Sequence, residues 1–288
     1  MQRIIMKRIE NQTFAEERAL YALRDAEVVN CLFQGEEDGE SAFKEAQDIR
    51  VKACDFHLRY PFWHTHRAFL SDIKMKSTCR AALWYAEDIS VENSELFGIK
   101  ALRECKDISI YQTKVDSAEF GWFCSRLKIE DSSLQGEYLF MHSSDIVLRG
   151  VSLKGKYSFQ YCKNVEIHDS YLDTKDAFWE SENVTVYNST VKGEYLAWYA
   201  KNLRLVNCTV IGTQPLCYAD GVVMENCRME ECDLSFEYSV ALADIVGKIE
   251  SVKNPLAGSV ITADAFGEII LDENRRDEGL AKILVRNT

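Results

Sequence analysis

Residues 163–210 read KNVEIHDSYLDTKDAFWES (163–181), ENVTVYNSTVKGEYLAWYA (182–200) and KNLRLVNCTV (201–210). In each segment an aliphatic pair is followed by an asparagine or aspartate and then by a small residue. The same pattern recurs at every nineteenth position along most of the chain. Its first aliphatic position falls at Ile89, Ile108, Leu127, Ile146, Val165, Val184, Leu203 and Val222. A fixed period of this length is typical of solenoid proteins.

Each repeat has room for short strands and none for a helix. Alternation of Ile89 and Val91 with Ser90 and Glu92 has period two, which predicts a β-strand. A second inward position follows at Leu96, and glycines such as Gly98 mark a turn. A third short strand is expected at an apolar column that contains Leu83, Leu102, Phe140, Phe159, Phe178 and Leu216.

Three parallel strands without a crossover helix require that successive turns stack directly on one another. Parallel crossovers are overwhelmingly right-handed. The sequence therefore predicts an all-β, single-stranded, right-handed parallel β-helix of about 12 coils of 19 residues, capped at both ends.

One domain is expected over residues 1–288. Residues 1–25 form an N-terminal cap and first coil, 26–232 the regular coils, and 233–288 irregular last coils and a C-terminal cap. Within that last part, EIILDE from Glu268 predicts a final strand and RRDEGLAKIL from Arg275 a short helix.

Two polar columns follow from the stacking. The column that contains Asn93, Asn188 and Asn207 is predicted as an internal amide ladder, because stacked amides can pair along the axis. The column that contains Asp88, Asp107 and Asn164 resembles a row of catalytic aspartates, but short polar side chains that cap a bend explain it better.

The formal net charge of −12, from 34 basic and 46 acidic residues, disfavours nucleic acid as a partner. No segment is apolar enough for a membrane span, and the N-terminus lacks the features of a secretory signal. The chain is therefore expected to be cytoplasmic, with its ten cysteines reduced. No motif indicates a cofactor or a metal site.

Two neighbouring columns of aromatic residues are the candidate site. If they face outward, the aromatic rings form a strip suited to sugars, and the charged and imidazole groups among them suit acid–base chemistry. The candidate catalytic residues are Arg103, Glu104, His142 and Glu180. The candidate ligand-binding residues are Trp63, Arg80, Trp84, Trp122, Trp179 and Trp198. The alternative is that the tryptophans face inward, or lie flat against a capping segment, as ordinary aromatic packing, because the column before them is apolar as well.

Several non-repeating segments carry a family resemblance: ERALYAL from Glu17, YPFWH from Tyr60, CRAALWY from Cys79 and SFEYS from Ser235. With these segments the chain resembles the bacterial domain-of-unknown-function 3737 family of pectin-lyase-like proteins. The resemblance implies the right-handed β-helix and no particular activity. The wider pectin-lyase-like group suggests carbohydrate as the ligand, by analogy of fold alone.

Three hypotheses about function follow. The strip binds or processes a carbohydrate, and if it is catalytic, the fold analogy suggests a polysaccharide lyase or a glycoside hydrolase. Alternatively, it is a non-catalytic surface that binds a protein or a second copy of the chain, so oligomers are allowed. In the third hypothesis the protein is purely structural and has no small-molecule site.

Overall fold

The structure is a computed structural model that describes residues 6–35, 40–276 and 280–286. It divides into two compact units, Met1–Val147 and Leu148–Thr288, and each is described by itself. Described residues form strands, turns and bends and no helix. The expectation of a single domain stays a prediction.

The first unit contains three parallel sheets. Its long strands form sheet A: Lys7–Glu10, Arg24–Val29, Gln47–Lys52, His66–Ser71, Glu87–Glu92, Lys106–Tyr111 and Ser125–Glu130, with Ser144–Arg149 running across the division between the units. Sheet B contains Thr13–Phe14, Leu32–Phe33, Asp55–Phe56, Lys74–Met75, Glu95–Phe97, Lys114–Asp116 and Ser133–Glu137. Sheet C has two strands, Leu83–Trp84 and Leu102–Arg103.

The second unit continues with the same two types of strand. Its sheet A strands are Lys163–His168, Glu182–Tyr187, Lys201–Val206, Val222–Glu230, Ala241–Lys253, Val260–Ile270 and Lys282–Val285. Its sheet B strands are Ser152–Lys156, Tyr171–Lys175, Thr190–Lys192 and Thr209–Ile211. Strand Val222–Glu230 pairs with both sheets, because it continues around the corner that separates them elsewhere.

Equal positions of successive repeats lie directly above one another. Val91 pairs with Ile110, and Ile110 pairs with Ile129, each one repeat further along the chain. The predicted parallel β-solenoid is confirmed, with about 14 turns rather than about 12. Not every turn keeps the nineteen-residue step, because Ala26 pairs with Ile49, which lies more than one regular repeat further along the chain. Right-handedness stays an expectation.

Inward side chains stack along the axis to form the core. In the first unit the rings of Phe33 and Phe56 are 4.7 Å apart and nearly parallel, and Phe43 and Phe62 repeat the arrangement at 5.0 Å. All four are fully buried. Burial of one such side chain stabilises the fold by roughly 1.5–3 kcal/mol, so these stacks contribute much of the cohesion between turns.

The predicted internal amide ladder is wrong in its location. Asn188 and Asn207 are exposed, and the Nδ2 of Asn207 donates to the Oδ1 of Asn188 at 3.1 Å on the surface. These residues have positive φ, which ends the period-two alternation and turns their side chains outward. The buried polar column is the next one, where Ser170 and Ser189 bond neighbouring backbone groups.

The column of Asp107 and Asn183 lies at another positive-φ corner and is not a buried carboxylate cluster. Its members pair with the turns above or below: Asp107 with Arg126, and Asn183 with Asn164 at 3.2 Å. The interpretation of this column as structural therefore agrees with the described contacts.

The predicted third strand forms in only two turns of the described chain, at Leu83–Trp84 and Leu102–Arg103. Phe140, Phe159 and Phe178 are buried as expected, but they occupy turns and have φ values of 60° to 65°. Left-handed residues cannot continue a strand, so this side of each later turn is a series of tight bends.

The end of the chain also differs from the expectation. Lys282–Val285 is a strand that pairs with residues 260–263, where the sequence predicted the end of a helix. Residues 277–279 of that predicted helix lie outside the described residues. Glu268 falls within Val260–Ile270, so it belongs to the strand before the last one.

Candidate functional site

Both aromatic columns lie on the outside of the solenoid. The five tryptophans are half-buried, and the following column is more open, with Phe123 49% and Tyr199 46% exposed. Phe123 and Tyr199 have φ near 55°, so each lies at a left-handed corner that directs its side chain into solvent. The alternative interpretation, with the tryptophans in the core, is wrong.

In the first unit the rings cover one another. Lys44 Nζ lies 3.9 Å from the ring centroid of Trp63. Trp63 in turn stacks on Trp84 at 5.7 Å, and Trp84 stacks on Tyr85 at 5.2 Å. Two faces of this stack are therefore already occupied by protein groups. The indole nitrogens of Trp63 and Trp84 are buried and have no hydrogen-bond partner in the described chain.

Arg103 and Glu104 lie together, and each satisfies the other. Arg103 Nε donates to Glu104 Oε1 at 3.3 Å. The Arg103 guanidinium carbon lies 5.5 Å from the ring centroid of Trp122 and 5.7 Å from that of Phe123. Tyr85 also donates its hydroxyl to Glu104, and this bond, followed by desolvation, raises the pKa of Tyr85.

The remaining candidates of the first unit are also packed or isolated. Trp122 Nε1 donates to the carbonyl of Tyr138, and His142 stacks on Phe123 at 5.2 Å with nearly parallel rings. Arg80 is exposed and follows the two-residue insertion in its turn. Phe123 lies one turn after Glu104, and His142 lies one turn after Phe123, so the Phe123 ring separates His142 from Glu104.

In the second unit the aromatic residues form a less compact cluster. Trp179 lies 6.0 Å from Trp198 and 6.2 Å from Tyr199, with ring planes tilted by 46° and 33°. Tyr199 stacks on Tyr218 at 5.0 Å on its other side. Trp198 Nε1 donates to the carbonyl of Gln214 at 2.9 Å.

Glu180 and Trp179 leave polar groups unused in this cluster. The exposed carboxylate of Glu180 makes no hydrogen bond or ion pair with any residue in the described ranges. The indole N–H of Trp179 has no acceptor there either, whereas Trp122 and Trp198 both donate to a carbonyl of the next turn. An acceptor and a donor therefore lie side by side next to an exposed tyrosine.

Asp176 is a residue of this cluster that the sequence reasoning missed. It is only 5% exposed, and desolvation, opposed by Lys175, raises the pKa of its carboxyl group. The repeat held a signal for it, because the position three residues before a tryptophan carries Tyr60 and Tyr195, which pack on Trp63 and Trp198. Asp176 has this position before Trp179.

Other surface features lie away from the aromatic columns. One shallow depression on sheet A of the first unit is lined by Glu92, Tyr111, Lys128 and Glu130. Within the described ranges no three histidine, cysteine or acidic side chains are grouped to hold a metal ion. The described residues also include no helix of the length and apolarity that a membrane crossing needs.

Comparisons with known proteins bear on the fold. The surface adhesin PfbA of Streptococcus pneumoniae is similar, with 8% identity, a TM-score of 0.50, and coverage of 81% of this chain and 84% of the adhesin. The A-module of mannuronan C-5 epimerase AlgE4 from Azotobacter vinelandii has 11% identity, coverage of 96% and 89%, and a TM-score of 0.32. No curated protein matches.

The family model described as Protein of unknown function (DUF3737) matches residues 7–284, nearly the whole chain. The resemblance found in the sequence is thus confirmed, including its pectin-lyase-like fold. The chain belongs to the DUF3737 family.

Proposed function

We propose that the protein binds a carbohydrate, without cleaving it, on the aromatic cluster of the second unit formed by Trp179, Glu180, Trp198 and Tyr199. One observation carries the proposal: the Glu180 carboxylate and the Trp179 indole N–H are both without a partner in the described chain, beside the exposed Tyr199. In the first unit Glu104 is bonded to Arg103, and the Trp122 indole N–H donates to the carbonyl of Tyr138.

The chemistry of the cluster suits a sugar. A sugar ring has apolar C–H faces that pack on aromatic rings, and hydroxyl groups that donate to a carboxylate and accept from an indole N–H. The solenoid repeats its surface every rung, at about 4.8 Å, so an extended polymer along the axis meets similar contacts in successive turns. A polymeric saccharide is therefore a better match than a compact metabolite.

Binding without cleavage fits the acidic groups of the cluster. Glycoside hydrolysis generally uses two carboxyl groups that both reach the substrate. Glu180 is exposed, whereas Asp176, three residues before Trp179, is nearly enclosed and is not available to a ligand. In the described part of this cluster, one accessible carboxylate remains, which supports recognition.

The test is calorimetric titration of the protein with a panel of neutral, acidic and amino oligosaccharides. For whichever member binds, Glu180→Gln and Trp179→Ala should each weaken binding about tenfold, the equivalent of about 1.4 kcal/mol. Glu104→Gln in the first unit is the matched control and should leave affinity unchanged. Absence of binding across the panel, or an equal loss in Glu104→Gln, would contradict the proposal.

Self-association is a second candidate, favoured by the last strand. Lys282–Val285 pairs with Val260–Ile270 along one edge, and Leu280, Leu284 and Val285 beside it are exposed. An open strand edge with apolar side chains favours pairing with a second chain. Light scattering should then give a dimer that Leu284→Lys converts to monomer, and a monomeric wild type would exclude it.

A further inference from the structure

The two aromatic columns can be compared residue by residue, because equivalent positions are separated by four whole repeats. Glu104 corresponds to Glu180, Trp122 to Trp198, and Phe123 to Tyr199. Arg103 corresponds to Trp179. In each unit a glutamate thus lies one rung before a pair of aromatic residues, and the main difference is the residue just before the glutamate.

In the first unit the glutamate and the two aromatic rings hold a guanidinium group. The Arg103 guanidinium is bonded to Glu104 at 3.3 Å, and its central carbon lies 5.5 Å and 5.7 Å from the ring centroids of Trp122 and Phe123. A cation held by one carboxylate and two ring faces gains both ion pairing and cation–π attraction. This column is therefore a cation site that a side chain of the protein already occupies.

The second unit has the carboxylate and the rings without the cation. Trp179 takes the place of the arginine, so Glu180 has an aromatic neighbour where Glu104 has a guanidinium. The nearby lysines are engaged elsewhere: Lys175 pairs with Glu194 at 2.8 Å, and Lys163 pairs with Glu182 at 3.2 Å. Glu180 keeps an uncompensated negative charge next to Trp179 and Tyr199.

From this difference we infer that Glu180, with Trp179 and Tyr199, binds the ammonium group of an amino-sugar oligosaccharide. The inference rests on the proposed function and specifies its ligand class. The ammonium group would donate to the Glu180 carboxylate and lie against the aromatic rings, as the Arg103 guanidinium does in the first unit. The net charge of −12 adds a long-range attraction for cationic saccharides.

The experiment compares a glucosamine oligomer, which carries ammonium groups, with the N-acetylglucosamine oligomer of equal length, in which a neutral acetamide replaces each of them. Titrations of wild type should show about 5- to 30-fold tighter binding of the glucosamine oligomer, since a partly exposed carboxylate and cation–π contacts together contribute on the order of 1–2 kcal/mol. Glu180→Gln should abolish this preference, and Glu104→Gln should retain it. Added salt should reduce the preference in wild type.

Several outcomes overturn the inference and can be told apart. Equal binding of both oligomers, lost in Glu180→Gln, removes the amino-sugar specificity and leaves the proposed function standing. A preference that persists in Glu180→Gln assigns the attraction to the general surface charge. Binding of a lysine-rich peptide that depends on Glu180, without binding of either oligomer, indicates a protein ligand. Absence of all binding overturns both proposals.

Discussion

The aromatic columns of the two units occupy equivalent positions of the repeat, but they differ in backbone and in how their polar groups are satisfied. Leu102–Arg103 is a strand in the first unit, whereas Trp179 lies in a turn in the second. In the first unit Lys44, Arg103 and Glu104 are all bound to neighbouring side chains or rings. In the second unit Glu180 and the Trp179 indole N–H have no partner within the described ranges. A few side chains therefore decide whether the polar groups of a repeating surface are bound within the protein or left without a protein partner.

The largest expected effect concerns stability. Trp122→Ala should lower the free energy of unfolding by about 2–4 kcal/mol, because it removes ring packing, a hydrogen bond to Tyr138 and the contact with Arg103. Trp179→Ala should lower it by about 1–2 kcal/mol, since its N–H has no acceptor to lose. Urea unfolding followed by circular dichroism measures both values. Equal losses would remove the distinction between the columns.

Removal of the Arg103 guanidinium should leave Glu104 of the first column without a cationic partner, as Glu180 is in the second column. Arg103→Ala leaves Glu104 beside Trp122 and Phe123 without its guanidinium, and stability should fall by about 1–2 kcal/mol. Added methylguanidinium should restore part of this loss, and the variant should gain a second binding site for it in calorimetry. If Arg103→Ala binds no more methylguanidinium than wild type, the first column is not a cation site.

A pH dependence should distinguish Asp176 from exposed carboxylates. Burial raises its pKa in the folded protein, so the folded state holds the proton more tightly than the unfolded state. The contribution of Asp176 to stability is therefore present at acid pH and is lost as pH rises from the unfolded pKa through the raised folded pKa.

The variant Asp176→Asn removes this titration. It should be more stable than wild type at neutral pH, and the difference should shrink or reverse as pH falls below the ordinary carboxyl range. Thermal unfolding at a series of pH values measures the difference. Glu104→Gln, in which a half-buried ion pair is lost, is the control and should show no gain at neutral pH.

How far the sequence determines the structure depends on local geometry. The inward positions of Ile89 and Val91 could be predicted, because their burial requires only the alternation of a strand. Asn93 was assigned to the wrong face because its positive φ of 47° breaks that alternation. Left-handed corners are not encoded by one residue type here, so the outward direction of the tryptophans could not be derived.

The residues of the candidate site could be predicted from the repeat, but the contacts that these residues make could not. Glu104 and Glu180 look equivalent in the repeat, and both were named as catalytic. The sequence shows that Arg103 precedes one and Trp179 the other, but the contacts that follow from this difference appear only in the structure. Asp176 was missed because its burial follows from the packing of the turn, not from its own chemistry.

The last expected effect concerns the exposed asparagine ladder, which forms a longer run in the second unit. Asn207 lies at φ 53° and bonds Asn188 below and Asn226 above. Asn207→Ala should cost about 1–2 kcal/mol, because alanine disfavours the left-handed region, and Asn207→Gly should cost less. If alanine is as well tolerated as glycine in urea unfolding, this corner is not left-handed.

The most direct test of the central claim is to ask which tryptophans report a bound oligosaccharide. The fluorescence of wild type, Trp179→Phe and Trp122→Phe would be recorded during titration with the tightest ligand of the panel. The account predicts that the signal change is largely lost in Trp179→Phe and kept in Trp122→Phe. A signal that survives in Trp179→Phe and disappears in Trp122→Phe would place the ligand on the first column and contradict it.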